Sequence, residues 1–255
     1  MVSKPVVGIV GLGLIGGSLA RALSRKGYRV VGLDREAVRR RARAAGAVTT
    51  TTTSLAQLAG RADVVVLAAT PKANLSLLRR LARLLRPGAV VTDVGSVKGP
   101  ICREAARLGL RSFVGGHPVA GNEGSGFAAS SADLFRGRSW ILCPGQVAPA
   151  ALRAIESLVR AAGARPVRLD ASEHDRALAF LSHAPQFVSW AVFEAARSDP
   201  VTRLHLDLAG PGFRDMTRLA RSPRGLWREI LAQNRPELQR ALASVAARLT
   251  EKRRR

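Results

Sequence analysis

The sequence predicts an α/β fold in which an N-terminal doubly wound parallel sheet is followed by an all-helical C-terminal domain. Two observations predict the sheet: β-prone runs alternate with helical segments up to residue 170, and a glycine-rich turn follows the first run. A third observation predicts the helical domain, because the periodicity stays helical from residue 171 to the C-terminus. We therefore expect two domains, residues 1–170 and residues 171–255.

The first predicted strand, residues 6–10, turns directly into a glycine loop. Gly11, Gly13 and Gly16 have the GxGxxG spacing. In this pattern the first glycine allows a tight turn, the second lets a diphosphate approach the backbone, and the third lets helix and strand pack closely. The phosphate then faces a helix N-terminus, whose N–H groups and dipole favour an anion. The pattern predicts a Rossmann-type cofactor site made by Gly11, Leu12, Gly13, Leu14, Ile15 and Gly16.

The second predicted strand, residues 29–33, ends in Asp34, 18 residues after Gly16. Dinucleotide-binding folds place there the acid that binds the adenosine ribose. Because a carboxylate repels a 2′-phosphate, we expect NAD rather than NADP. The neighbouring Arg35 keeps NADP open as an alternative. The glycine spacing followed by Asp34 argues against a secretory signal beginning near Lys4.

The remaining elements of the first domain alternate between helix and strand, as a doubly wound sheet requires. The predicted helices are 35–45, 54–59, 73–85 and 148–162, and the predicted strands are 48–52, 62–69, 89–94, 112–114, 139–142 and 166–169. Thr70 and Pro71 follow strand 62–69, where we expect the loop to pass close to the cofactor. A long helix is predicted over 171–196, with further helices beyond the irregular section at 200–212.

The net charge of +23 is carried almost wholly by arginine. The arginines lie in helical segments, where a solvated outer face is the ordinary interpretation, and aromatic residues make up only 4% of the chain. Nucleic-acid binding is therefore a minor hypothesis, and a small anionic substrate is favoured. No run of 18 apolar residues predicts a membrane span. Two cysteines, Cys102 and Cys143, suit a reducing cytoplasm and lack metal-ligand spacing.

Two polar stretches follow predicted strands of the first domain. Ser96 lies just beyond strand 89–94, where it can donate to a cofactor or substrate, or cap a helix beginning near Val97. His117 lies in residues 115–126, which we interpret as a site loop because they are too rich in glycine for packing and too polar for a strand. A histidine here can accept a proton from a substrate hydroxyl. The alternative for His117 is a histidine in a surface turn.

A third polar stretch lies at the start of the helical domain. Ser172 and Asp175 have the spacing of a capping box, so His174 and Asp175 are interpreted as a helix start. His183 and Gln186, with Trp190, fall on one helix face and predict the wall of a pocket. The alternative is a core histidine bonded to a backbone carbonyl.

Read together, these motifs resemble those of the prephenate and arogenate dehydrogenases of tyrosine biosynthesis. The resemblance covers nearly the whole chain, and its motifs occur in the family's order. They are GLGLIGGSLA (11–20), DVGSVK (93–98), GGHPVAGNEGSG (115–126), EHD with SHAPQ (173–175 and 182–186), and GFRDMTRLA with WREI (212–220 and 227–230).

The resemblance implies an oxidative decarboxylation that passes a hydride to NAD while the ring carboxylate leaves as carbon dioxide. It implies that His117 hydrogen-bonds the hydroxyl proton, with Ser96 beside it, and that His183 lies near the substrate side chain. Arg218 matches the arginine that anchors a substrate carboxylate, a role that suits a guanidinium fork, and Arg214 is a weaker candidate.

The helical domain from residue 171 is too small to form a generous core of its own, so we expect a homodimer formed through this domain. From the resemblance, Trp227 is expected near the pocket, and Glu123 and Asp215 near the site entrance or the dimer contact. An ordinary core aromatic and two solvated charges are the alternatives for these three residues. There is no room for a fused mutase or a C-terminal regulatory domain, so feedback by tyrosine through such a domain is not expected.

The choice of substrate is open, because Gln186 stands where many prephenate-preferring members have histidine. Prephenate is the favoured substrate and arogenate the alternative. Two further hypotheses remain: another hydroxyacid or imine oxidoreductase with the same architecture, and a non-catalytic protein that binds a dinucleotide or a polyanion.

Overall fold

The computed structural model describes residues 4–122 and 124–252. These residues form two compact units, the first ending at His174 and the second beginning at Asp175. The first unit is a sheet with helices on both faces, and the second is helical, as the sequence predicts.

The first unit follows the expected alternation of strands and helices. Its strands are β1 (Val7–Val10), β2 (Val30–Leu33), β3 (Thr50–Thr52), β4 (Val64–Leu67), β5 (Val90–Asp93), β6 (Phe113–Pro118), β7 (Ser139–Cys143) and β8 (Arg165–Arg168). Its helices are α1 (Leu14–Arg25), α2 (Glu36–Ala44), α3 (Leu55–Arg61), α4 (Pro71–Leu81), α5 (Gly99–Arg107) and α6 (Pro149–Ala161), followed by α7 (Ala171–Leu178), which continues into the second unit.

The eight strands form one sheet in the order β3-β2-β1-β4-β5-β6-β7-β8. Strands β1 to β6 are parallel, whereas β7 is antiparallel to β6 and parallel to β8. The reversal has a local cause. Between β6 and β7, the described residues 119–122 and 124–138 contain a single short 3₁₀ turn, Phe127–Ala129, and no crossover helix of the kind that returns a chain to a parallel strand.

The central strands bury both faces, and their side chains alternate between two cores. In β1, Val7 and Ile9 join the core that also contains residues of α1 and α6, whereas Val10 joins the core formed with α3, α4 and α5. The side chains of β4 alternate in the same way: Val64 lies in the first core and Val65 in the second. Continuous apolar runs are expected of strands that are covered on both faces.

Strand β6 is longer than predicted, and the interpretation of residues 115–118 as a loop is wrong. These residues pair with β7, and His117 lies opposite Ile141. Gly116 is needed in this strand, because a Cβ there would lie 2.5 Å from the carbonyl oxygen of Asp93 and 2.8 Å from Thr92 Oγ1. The glycines therefore serve close strand packing.

The second unit consists of helices around a small core. After a π-helical turn at Ala179–His183 come α8 (Ala184–Ser198), α9 (Pro200–Leu204), α10 (Pro211–Thr217), α11 (Arg224–Gln233) and α12 (Arg235–Lys252), with 3₁₀ turns at Leu206–Leu208 and Arg218–Arg221. The π turn interrupts the single helix predicted over 171–196. Pro185 explains it, since proline has no N–H and its ring clashes with the carbonyl four residues earlier.

Within the described range, no helix has both the length and the apolar character needed to cross a bilayer.

Candidate functional site

The glycine turn has the geometry of an anion-binding site. Gly11 has φ +94°, and at Gly16 a Cβ would lie 1.9 Å from the carbonyl oxygen of Gly11. At Gly13 a Cβ would meet no atom within 4 Å, so the space beside this residue is open. Gly13 is the N-cap of α1, and no side chain caps the helix there. The first-turn N–H groups thus have no side-chain cap and begin beside an open space, an arrangement that suits an anion such as a diphosphate.

Asp34 is held beside this turn by backbone contacts. Strand β2 pairs with β1, and Val10 is in register with Leu33. The next residues of the two strands, Gly11 and Asp34, are therefore neighbours. The Leu12 N–H donates to Asp34 Oδ2 at 2.6 Å, and the Arg35 N–H donates to Asp34 Oδ1, also at 2.6 Å. A carboxylate has about four acceptor positions, so these two bonds leave capacity for ribose hydroxyls.

The loop after β4 packs against the glycine turn. A Cβ at Gly11 would lie 2.5 Å from the carbonyl oxygen of Ala68. The buried Asn74 fixes this loop, because its Oδ1 accepts from the Ala69 N–H at 3.0 Å and its Nδ2 donates to the Leu67 carbonyl at 3.3 Å. Thr70 is the N-cap of α4 and Pro71 its first residue. Sequence reasoning missed Asn74, although an asparagine among the leucines of a helical pattern was a usable signal.

A buried ion pair joins the end of β5 to β6. Lys98 and Asp93 are 0% and 1% exposed, and the Lys98 ammonium contacts Asp93 Oδ2. Both side chains also bind the backbone of Gly116, since its N–H donates to Asp93 Oδ1 at 3.0 Å and its carbonyl accepts from Lys98 Nζ at 2.8 Å. We call Asp93, Lys98 and the Gly116 peptide groups the Asp–Lys clamp. It fixes the position of His117, the next residue.

Ser96 lies between the two charged members of the clamp in the sequence and is half-buried. The capping alternative for this residue is wrong, because α5 begins at Gly99 and its N-cap is Lys98. The short loop that carries Ser96 is held at Gly95, whose N–H donates to Asp93 Oδ2 at 2.8 Å. Ser96 thus follows the carboxyl end of β5, beside the strand that carries His117.

His117 is 8% exposed and belongs to an imidazole pair. Its Nδ1 lies 2.8 Å from Nε2 of His174, with the ring centroids 5.0 Å apart at an interplanar angle of 69°. The interpretation of His117 as a surface turn residue is therefore wrong. His174 is fully buried, so its interpretation as no more than a helix start is wrong as well. No local pattern indicates this pairing, because 57 residues separate the two histidines.

The capping box at this helix also differs from the prediction. The Glu173 carboxylate accepts from the Asp170 N–H at 3.3 Å, and Asp170 precedes the first residue of α7. This bond joins Asp170 and Glu173, which lie two residues earlier than the predicted pair Ser172 and Asp175.

In the second unit, His183 and Gln186 are both fully buried. The Asn234 amide donates to the Asp175 carbonyl at 2.7 Å and lies 3.0 Å from His183 Nδ1. One partner of His183 is thus a side-chain amide. Because the amide nitrogen is a donor, neutral His183 carries its proton on Nε2. Gln186 Nε2 donates to the Leu219 carbonyl at 2.7 Å.

The other predicted residues of this unit lie nearer its surface. Trp227 is half-buried, and its ring centroid is 6.2 Å from that of His183. Arg214 and Arg218 are both exposed, and Arg214 Nε donates to the Ala209 carbonyl at 3.0 Å. Asp215 is exposed on α10. Glu123 lies outside the described residues.

Several of the predicted first-unit residues meet at one edge of the sheet. The carboxyl ends of β1, β2, β4 and β5 carry, in turn, the glycine turn, Asp34, Thr70 and Ser96, and His117 lies near the carboxyl end of β6. Open α/β sheets bind their ligands at this edge, at the point where the strand order reverses. Here that point is β1, which lies between β2 and β4.

Two family models match this chain. The nucleotide-binding domain of prephenate dehydrogenase matches residues 19–168, and the dimerization domain of prephenate dehydrogenase matches residues 170–254. Together they cover most of the sequence.

Individual relatives agree with the family models. A prephenate dehydrogenase of Lactococcus lactis is 32% identical, with 90% of this chain and 65% of that protein aligned. A second, of Bacillus subtilis, is 33% identical, with 92% and 66% aligned. The chain thus spans slightly less than two thirds of the length of these two relatives. A cyclohexadienyl dehydrogenase of Zymomonas mobilis is 33% identical, with 91% and 82% aligned.

Solved structures give the same result. Prephenate dehydrogenase of Aquifex aeolicus, crystallised with hydroxyphenyl propionate and NAD+, aligns with TM-score 0.92 and 30% identity over 98% of this chain and 90% of that one. Arogenate dehydrogenase of Synechocystis aligns with TM-score 0.84 and 31% identity over 96% and 90%. The chain therefore belongs to the prephenate dehydrogenase family.

Proposed function

We propose that this chain catalyses the NAD-dependent oxidative decarboxylation of prephenate to 4-hydroxyphenylpyruvate, a cytoplasmic step of tyrosine biosynthesis. The observation that carries the proposal is a buried imidazole, that of His117, at the same sheet edge as an open glycine turn. We assign dinucleotide binding to residues 1–170, and substrate contacts and dimerisation to residues 171–255.

The cofactor assignment is supported by the glycine turn and by the relative crystallised with NAD+. The N–H groups at the start of α1 suit the diphosphate, and Asp34 suits the adenosine ribose. Thr70 and Pro71 are assigned to the cofactor side of the site, and Ser96 to a position where it can donate to cofactor or substrate. When bound, NAD supplies the acceptor for one hydride.

His117 is assigned as the base for the ring hydroxyl. As the carbon bearing that hydroxyl loses its hydride, His117 accepts the hydroxyl proton. The ring carboxylate then leaves as carbon dioxide, and the electrons of the broken carbon–carbon bond complete the aromatic ring. His117 returns its proton to the phenolate oxygen. One hydride and one carbon dioxide leave the substrate, and the proton is conserved.

The first test is an absorbance assay for NADH with NAD and either prephenate or arogenate. We expect NADH to form with prephenate, together with carbon dioxide. NAD binding without turnover of either compound would support the non-catalytic alternative, in which the chain only senses a dinucleotide.

Arogenate is a second candidate substrate for a specific reason. Gln186 Oε1 is buried and accepts no hydrogen bond from the part of the chain that the structure describes. An amide oxygen can accept from an ammonium group, which arogenate has and prephenate lacks. The ratio of kcat/KM for the two compounds decides between them.

The preference for NAD over NADP gives a quantitative prediction. We expect kcat/KM to be at least about tenfold higher with NAD than with NADP, because the Asp34 carboxylate repels a 2′-phosphate. Arg35 is exposed next to it and partly offsets this repulsion. Steady-state kinetics with both cofactors at saturating substrate provide the measurement, and a tenfold preference for NADP would overturn the assignment.

Arg218 is proposed to bind a substrate carboxylate, with His183, Trp227 and Arg214 as further candidate substrate contacts. Arg218→Ala is expected to raise KM for the substrate roughly tenfold to a hundredfold, since a charge-assisted hydrogen bond is lost. The KM for NAD is expected to stay unchanged. Arg221→Ala, a neighbouring arginine in the same 3₁₀ turn, is the matched control. An unchanged substrate KM would make Arg218 a structural residue.

We also propose that two copies associate through the second unit, whose matching family model describes a dimerization domain. Apolar side chains are exposed there, among them Leu181, Val201, Leu204, Leu208 and Met216. Patches of this kind commonly mark interfaces.

Light scattering at micromolar concentration should therefore give about twice the 27.1 kDa of one chain. The double substitution Leu204→Glu with Leu208→Glu should shift the mass toward one chain, whereas Leu84→Glu on the first unit should not. A wild-type mass of one chain would contradict the dimer.

A further inference from the structure

We propose that His174 is a positioning residue that holds the His117 imidazole in the tautomer able to accept a proton. The inference rests on the proposed function, in which His117 is the base. It starts from the buried contact of 2.8 Å between His117 Nδ1 and His174 Nε2. His174 is 0% exposed, so water does not compete for this contact.

The position of His174 is fixed by the end of the sheet. The Leu169 N–H donates to the Leu142 carbonyl of β7 at 3.0 Å, which anchors the chain just after β8. Helix α7 then starts in the next residues, and the His174 N–H donates to the Asp170 carbonyl at 2.8 Å. The Glu173 carboxylate closes the first turn. His174 therefore approaches His117 from a rigid helix end.

On the other side, the Asp–Lys clamp fixes His117. Both backbone groups of Gly116 are bound by buried charges, and His117 pairs with Ile141 across the sheet. Two imidazoles held in this way cannot separate without breaking either the clamp or the helix start. The pairing is therefore a property of the fold.

The contact restricts where the protons lie. A neutral imidazole has one N–H and one lone pair, so one ring must donate and the other accept. If His117 donates through Nδ1, its Nε2 carries the lone pair and can take a proton from a substrate hydroxyl. If His174 donates through Nε2, the proton of His117 lies on its Nε2, and the ring cannot act as a base.

The arrangement in which His117 donates through Nδ1 is also unchanged after the proton transfer. After His117 takes a proton, its Nδ1–H still donates to His174 Nε2, so no group has to reorganise. The accepting lone pair of His174 then stabilises the imidazolium. An accepting partner that orients a histidine base is a recurring arrangement in catalysis, and here the accepting group is neutral.

The kinetic test compares three substitutions. His174→Leu removes the acceptor and is expected to lower kcat about 10- to 100-fold, the range found when the hydrogen-bond partner that orients a metal-bound histidine is lost. The KM for NAD is expected to change less than about threefold, because no cofactor contact is lost. His174→Gln supplies an amide oxygen in place of Nε2 and should recover much of kcat. His205→Leu, at an exposed position outside the site, is the control.

The spectroscopic test reads the tautomer directly. The chain has four histidines, so the ring nitrogens of ¹⁵N-histidine-labelled protein can be assigned with His117→Asn as reference. We expect His117 to show a protonated Nδ1 and an unprotonated Nε2 in the wild type. In His174→Leu this pattern should give way to a mixture of tautomers, whereas in His174→Gln it should persist.

A wild-type spectrum with the proton on Nε2 would overturn the proposal, as would a His174→Leu variant with kcat within twofold of wild type. A folded His174→Gln variant as slow as His174→Leu would also count against it. The wild-type spectrum needs no substrate and no folded variant of His174. It therefore tests the pairing even if prephenate is not turned over, an outcome that would overturn the proposed function alone.

Discussion

Lys98→Met is expected to lower the free energy of unfolding by about 3–5 kcal/mol, because it leaves the Asp93 carboxylate buried without its counter-charge. Both side chains are buried, and the substitution removes the charge while keeping a chain of similar length. The same change should lower kcat, since the Lys98 bond to Gly116 positions His117. Urea unfolding at one fixed protein concentration gives the free energy.

A comparison with a more exposed ion pair shows how much of the effect of Lys98→Met depends on burial. Arg79→Met breaks the Arg79–Glu104 pair, in which the arginine side chain is 57% exposed and the carboxylate keeps Arg107 as a partner, and should cost far less than Lys98→Met. Adding Asp93→Asn to Lys98→Met removes the orphaned charge and should restore part of the loss. A Lys98→Met protein within 1 kcal/mol of wild type would show that the clamp contributes little to stability.

His117→Asn is expected to reduce kcat by about a hundredfold to ten-thousandfold, the usual range for loss of a general base. Asparagine keeps a polar side chain but cannot take up a proton. Because the lost contact acts mainly in the transition state, the affinity for NAD should stay within about twofold of wild type. Stopped-flow or steady-state NADH formation gives kcat, and a fluorescence titration gives the cofactor affinity.

His205→Asn provides the control for a histidine lost from an exposed position. If kcat of His117→Asn equals that of wild type, His117 has no part in the mechanism. Loss of cofactor binding with the same substitution would instead indicate a structural role at the sheet edge.

The glycine turn is the part of the candidate site whose geometry the local sequence predicts best. The spacing of Gly11, Gly13 and Gly16 reflects steric demands that act within a few residues, and the structure has the positive φ and the close contacts that they imply. The alternating core of β1 and β4 was predictable for the same reason, because the side-chain period of a strand is local.

The sequence predicts a shorter β6 because glycine and proline, which make up three of residues 115–118, are depleted in strands. Their pairing depends on neighbours that are distant in sequence: β5 on one side and β7 on the other. A propensity argument cannot include those neighbours.

The contacts of the charged and polar residues of the site also depend on neighbours that are distant in sequence. Lysine is almost never buried without a partner, so Lys98 was no candidate until the contact with Asp93 was known. His174 looked like part of a helix start, and its contact with His117 depends on how β8 leads into α7. Pairings of this kind follow from topology, which local patterns do not specify.

The central claim is that a dinucleotide binds along the glycine turn with its nicotinamide end at His117. A crystal structure of the protein with NAD tests this most directly. We expect a diphosphate against the N–H groups at the start of α1, an adenosine ribose on Asp34, and a nicotinamide ring beside Ser96 and His117. A cofactor bound elsewhere, or a nicotinamide ring remote from His117, would contradict it.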